Sequence, residues 1–221
     1  MSLTCQALAR FLLGVLSTAA LIFLPAGTLA FPNGWLLLAL LFLPMLAVGL
    51  VLRLKAPDLL RSRLDSKEKL GEQRSVIALS GLMFLSGFIL AGLDLRLGWS
   101  QLPPWAVALA ALVLPLGYGL YAEVLRENVR LSRTVQVRQG QQVVDTGLYG
   151  LVRHPMYFST QLLFLSMPLV LGSAVALLPF LLHPLLMMRR IRSEEALLLR
   201  ELPGYEAYTQ KVRWRLLPWL W

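Results

Sequence analysis

The chain has 221 residues, 57% of them hydrophobic and 15% charged; a soluble domain usually carries about a quarter charged residues, so a disordered chain and a soluble enzyme are both disfavoured. The single cysteine, Cys5, closes no internal disulfide, and with only His154 and His183 as imidazoles a transition-metal site is not expected. A net charge of +9 would suggest nucleic acid in a soluble protein; in a chain this apolar it points instead to cytoplasmic loops, with no nucleic-acid partner.

The uncharged runs set the architecture. Residues 11–52 carry no charge, a run of 42. One membrane crossing needs roughly 20 residues, so two spans are expected, broken at Phe31-Pro32-Asn33-Gly34. Arg10 before the first span and Thr28-Leu29-Ala30 after it resemble a secretory leader with its cleavage site. The apolar stretch is long for a leader and a second span follows at once, so a retained span is the reading. Residues 75–93 and 97–122 give one span each. Residues 155–188 are 34 uncharged residues, on the order of 50 Å as helix, too long for one crossing. A hairpin bent at Leu171-Gly172-Ser173 is expected. The fold class is thus an all-α, polytopic membrane bundle of about five to six transmembrane helices.

Charge placement supports this count. Residues 53–75, 126–153 and the tail from 189 hold 19 of the 21 basic residues. With six crossings all three segments share one face, which the positive-inside rule makes cytoplasmic. Both termini would then be cytoplasmic, in a bacterial inner membrane or its equivalent. Two parts are expected: residues 1–125, four spans with a basic loop at 53–75, and residues 126–221, which carry the chemistry.

Within the second part, Val135 to Val144 alternates weakly around Gly140 and suggests a short loop or hairpin. Gly147-Leu148-Tyr149-Gly150 follows, then Arg153-His154-Pro155-Met156-Tyr157 at the start of an apolar run. Proline suits the first turn of a helix, and the unpaired N–H groups there favour an anion. Tyr149 and Tyr157 offer faces to a cation. Across the hairpin, Arg190 and Glu194 stand four residues apart, on one helix face, with Glu195 and Leu198 following. Leu202-Pro203-Gly204-Tyr205 reads as a turn into a short helix, and Trp214, Trp219 and Trp221 suit an interface belt. Each feature has a plainer reading: the arginines as topological anchors, the tyrosines as interfacial aromatics, His154 as a cap. Their joint order is more specific.

That order, Gly-Leu-Tyr, Arg-His-Pro-Met-Tyr, an apolar hairpin, then Arg190 with Glu194-Glu195-x-x-Leu198, resembles the isoprenylcysteine carboxyl methyltransferase family, which is related to the membrane phospholipid N-methyltransferases. Pro57-Asp58-Leu59-Leu60 with Arg63, Ala91-Gly92-Leu93-Asp94, Arg126-Glu127-Asn128 and Leu202-Pro203-Gly204-Tyr205 to Tyr208 resemble bacterial members too. The resemblance implies S-adenosyl-L-methionine as cofactor. It implies cofactor contacts at Gln136, Gln141, Gln142, Val143, Val144, Tyr149, Arg153, His154, Pro155, Met156, Tyr157 and Glu194. Arg190 is implied as the substrate-binding arginine, and Arg190 and Glu194 as the catalytic pair. Leu148 stands where many bacterial members have proline, and Gln141 where histidine is common. The implied acceptor is a lipidic or prenylated molecule entering from the bilayer, methylated on a carboxylate.

Three other readings are weighed. Phospholipid N-methylation would need Glu194 or Glu195 as base. A sterol-reductase-like enzyme would bind NADPH. A small transporter would need ionisable groups within its spans, and these are scarce. The only Gly-x-Gly, Gly117-Tyr118-Gly119, lies in a span and reads as helix packing rather than a nucleotide loop. The sequence leaves the oligomeric state open.

Overall fold

A computed structural model describes residues 3–64, 71–128, 137 and 140–221. The described elements are α1 (Leu3–Ala26), α2 (Pro32–Lys55), α3 (Pro57–Leu64), α4 (Gly71–Leu97), α5 (Pro104–Glu127), a 3-10 turn (Gly147–Gly150), α6 (Pro155–Val170), α7 (Ala174–Phe180), α8 (Leu182–Glu201) and α9 (Tyr205–Lys211), with no strand among the described residues. Among the described residues, five stretches are long and apolar enough to cross a membrane: α1, α2, Ser75–Leu97 within α4, α5, and α7 with α8. At 16 residues, α6 is about 24 Å long.

The first break falls earlier than Phe31–Gly34. The chain turns at Gly27 to Phe31, with Gly27 at φ +69°, and Pro32 opens α2. Proline at the first helical position loses no hydrogen bond, so it starts the helix rather than interrupting it. Within the basic segment, α2 runs to Lys55 and α3 follows at once over Pro57–Leu64. The hairpin bends at Leu171 to Ser173, as expected; Gly172 has φ +78° and the Ser173 hydroxyl caps α7 by accepting from Ala176 N at 3.0 Å.

One apolar core joins Ile22 and Phe23 of α1, Leu37 and Leu41 of α2, Met83 and Phe88 of α4, Leu114 of α5, Leu163 and Met167 of α6 and Phe180 of α7. In lipid, close packing rather than escape from water holds helices together, so small residues mark the seams. At Gly92 a Cβ would meet the Ile22 carbonyl of α1, and at Gly117 it would press on Leu163 of α6. Gly119 faces open space, so only Gly117 of the Gly-x-Gly serves packing.

The two ends of the bundle differ. At one, here the loop end, three turns converge. Leu102 N donates to Gly172 O at 3.1 Å, Ala174 N to Ser100 Oγ at 3.0 Å, and buried Asp94 accepts from Ser100 N at 2.6 Å and from the hydroxyls of Ser100 and Ser173. At the other, the basic end, Arg53 Nε of α2 donates to Thr4 Oγ1 of α1 at 2.7 Å. The starts of α4 and α6 meet α8 there through Val76, Tyr157, Leu186 and Ile191. The hairpin thus leaves the basic end on α6, turns among the loops, and returns on α7 and α8.

Candidate functional site at the basic end

The site is assembled where the two arms of the hairpin meet. Pro155 opens α6 behind His154, and this sets Tyr157 in the first turn. On α8 the four-residue spacing puts Arg190 and Glu194 on one face. The phenol of Tyr157 joins them: Arg190 Nε donates to Tyr157 Oη at 2.9 Å, and Tyr157 Oη donates to Glu194 Oε2 at 2.6 Å. The Arg190 guanidinium also lies 5.9 Å from the Tyr157 ring centre, and the His154 ring stacks on that ring at 5.7 Å. Tyr157, Arg190 and His154 are buried, while the Glu194 side chain keeps 20% of its surface exposed.

Glu195, beside it, turns the other way and is buried. Its Oε1 accepts from Arg153 Nε at 2.7 Å and lies 3.3 Å from His154 Nε2, and its Oε2 accepts from Arg215 Nε at 2.6 Å. Arg153 Nη1 further donates to the carbonyls of Val212 at 2.9 Å and Arg213 at 3.0 Å. The backbone follows, with Arg153 N on Trp214 O and His154 N on Arg215 O. The Arg153 guanidinium thus holds the tail. Sequence reasoning gave Glu195 no more than a possible base role and Arg215 none. Neighbouring helix residues point about 100° apart, but nothing in a Glu-Glu pair says which one turns inward.

The segment before the hairpin lies on the tail. Val143 packs with Leu198, Leu202, Tyr205, Tyr208 and Val212. Gln141 and Val144 are half-buried and Gln142 is exposed; Gln136 lies outside the described residues. Lys211 Nζ pairs with Asp145 Oδ2 at 2.6 Å, which holds that carboxyl below its ordinary value. Tyr149 is buried; its hydroxyl receives Asn128 Nδ2 at 3.3 Å and its carbonyl receives Tyr208 Oη at 2.7 Å. The Leu148 amide donates to both carboxylate oxygens of Glu127 at 3.0 Å. Gly147 sits at φ +54°, where a Cβ would land on that same carboxylate, so the turn requires glycine. Met156 packs beside Tyr157 on the cluster shared with α8.

Thus Tyr157, Arg190, Glu194 and His154 meet directly. Tyr149 belongs to a neighbouring group, bonded to Tyr208, whose ring lies 5.6 Å from that of Tyr205. Tyr205, read from the sequence only as part of the turn before a short helix, was given no site role: its hydroxyl is buried and hydrogen-bonds to nothing among the described residues.

Residues 109–200 match the model of the isoprenylcysteine carboxyl methyltransferase family, so the resemblance read from the motifs is borne out. A Delta(14)-sterol reductase of Methylotuvimicrobium alcaliphilum is 25% identical over 134 residues, covering 53% of this chain; the chain spans 31% of the reductase. Among the described residues, five helices long and apolar enough to cross a membrane agree with an integral membrane protein.

Proposed function

We propose that this chain, which carries an isoprenylcysteine carboxyl methyltransferase family region at residues 109–200, uses S-adenosyl-L-methionine to methylate a carboxylate on a lipidic or prenylated acceptor that arrives through the bilayer. The observation that carries this reading is the Arg190–Tyr157–Glu194 line, in which a cation for the acceptor and an anion for the donor are joined by one phenol. The residues present fit such a cofactor: a partly exposed carboxylate, aromatic faces and an unpartnered buried hydroxyl suit a molecule with ammonium, sulfonium and carboxylate groups. When bound, that cofactor supplies an electrophilic methyl group on a sulfonium.

The chain's own residues then position and desolvate. Glu194 takes the amino group, and the start of α6 at Pro155 adds a favourable field for the carboxylate end without being its only contact. Tyr149 and Tyr157 present ring faces. Arg190 orients the acceptor carboxylate, which is ionised at neutral pH and needs no base. Its union with a sulfonium methyl removes two charges, so a dry pocket favours the step, and alignment is the main contribution. Glu195, already held by Arg153, His154 and Arg215, is poorly suited to act as a base, which favours an acceptor that requires none over an amine. The basic end faces the cytoplasm in this reading, with both termini there; residues 1–125 serve as scaffold and 126–221 as the catalytic part. The likeness to a Delta(14)-sterol reductase keeps a reductase as the second reading.

The test is a screen with radiolabelled methyl donor across prenylated thiol-acids, phosphatidylethanolamine and small thiols. Label should enter a base-labile ester of a prenylated acid. Arg190→Ala should lower turnover by about 10²-fold while cofactor affinity stays unchanged. Label in phosphatidylethanolamine, or loss of cofactor binding in Arg190→Ala, would overturn the assignment.

A further inference from the structure

Tyr205 lies beyond the residues the family model matches, in the turn that brings α9 under α8. The residue is 4% exposed. Its ring is fixed among Leu202, Tyr208, Val212, Val143 and Leu198, and Gly204 before it has φ +83°. The hydroxyl is buried without a hydrogen-bond partner among the described residues. A buried O–H without a partner is costly, and native proteins rarely keep one unless something else satisfies it.

Tyr205 packs in one cluster with Leu198, which follows Glu194 by four residues on α8 and so shares its helix face. Burial first, and then the charges of Glu195 and Glu194, push deprotonation of the Tyr205 hydroxyl far upward, with Arg153 opposing. Tyr205 therefore stays protonated and can donate. It bonds to neither Glu194 nor Glu195. Glu195 is occupied by three partners. Glu194 accepts from the Tyr157 phenol, stands 4.0 Å from His154 Nδ1 and keeps an exposed edge. Between a donor that lacks an acceptor and a carboxylate with room for a cation, the complementary ligand is a small zwitterion. Its carboxylate accepts from the hydroxyl and its ammonium donates to Glu194.

We infer that Tyr205 Oη is a cofactor-binding hydroxyl that holds the carboxylate of the methyl donor's amino-acid end, opposite Glu194 on its ammonium. The inference rests on the functional reading above and deepens it. It also assigns a role to the tail: the stitching of Arg153 and Arg215 to Glu195 keeps α9, and so Tyr205, against α8.

The test compares Tyr205→Phe with wild type, in detergent, for binding of S-adenosylmethionine and of decarboxylated S-adenosylmethionine, which keeps the sulfonium and the amine. Phenylalanine preserves the ring and its packing. Affinity for S-adenosylmethionine should fall about tenfold or more, as for loss of a hydrogen bond to a charged group, while affinity for the decarboxylated form stays within about twofold of wild type. The unliganded variant should melt at or above the wild-type temperature, because an unpartnered buried hydroxyl has been removed. Equal weakening for both ligands would overturn the inference, and so would a lower unliganded melting temperature with unchanged affinity. Failure of wild type to bind either ligand would overturn the functional reading and this inference with it.

Discussion

At the loop end Asp94 accepts hydrogen bonds from an amide and two hydroxyls, all neutral. At the basic end Glu195 is held by two arginines and lies against a histidine. Both carboxylates are buried, and both pin segments far apart in sequence: the 94–100 turn to the hairpin tip in one case, and α8 to residue 153 and the tail in the other. Glu194 contrasts with both, as it borders the site with an exposed edge. A saturated carboxylate fastens the chain, whereas one with remaining capacity is available to a ligand. The same residue type thus serves two purposes, and partner count separates them.

The comparison breaks most visibly at Glu195. Glu195→Gln leaves the Arg153 guanidinium buried without its counter-charge, and breaking a buried pair costs about 3–5 kcal/mol. Thermal unfolding in detergent should show a large drop in melting temperature. An unchanged melting temperature would mean that the tail is held by other contacts. Asp94→Asn should cost less, about 1.5–3 kcal/mol, because hydrogen bonds to a charged acceptor are weakened while no ion is stranded. The folded variant should keep its cofactor affinity, since the site lies at the other end. Glu194→Gln should change stability least, by about 1 kcal/mol or less, and change binding most.

Much of the fold was legible because a membrane leaves few choices. Uncharged runs of sufficient length must be helices, and basic residues mark one face. The position of the hairpin bend was legible too, because Gly172 and Ser173 are the punctuation in a run too long for one crossing. Pro32 misled because proline both ends helices and begins them, and only its place relative to the turn decides which. Of the candidate site, the meeting of Tyr157 with Arg190 and Glu194 followed from motif order and helical spacing. The roles of Arg153, Glu195 and Arg215 did not, because they depend on how the tail folds back, and no periodicity encodes that. Tyr205 was hidden for the same reason: an unpartnered hydroxyl is a property of packing, not of sequence.

The most direct measurement is the thermal shift of the detergent-purified protein with S-adenosylmethionine and with NADPH, in wild type and in Glu194→Gln. A ligand that binds the native state raises its melting temperature, by about 2.7 kcal/mol of added stability at a hundredfold excess over Kd. S-adenosylmethionine should stabilise wild type and lose most of that effect in Glu194→Gln, while NADPH leaves both unchanged. Stabilisation by NADPH alone, or an equal shift with S-adenosylmethionine in the variant, would contradict a methyl-donor site built on Glu194.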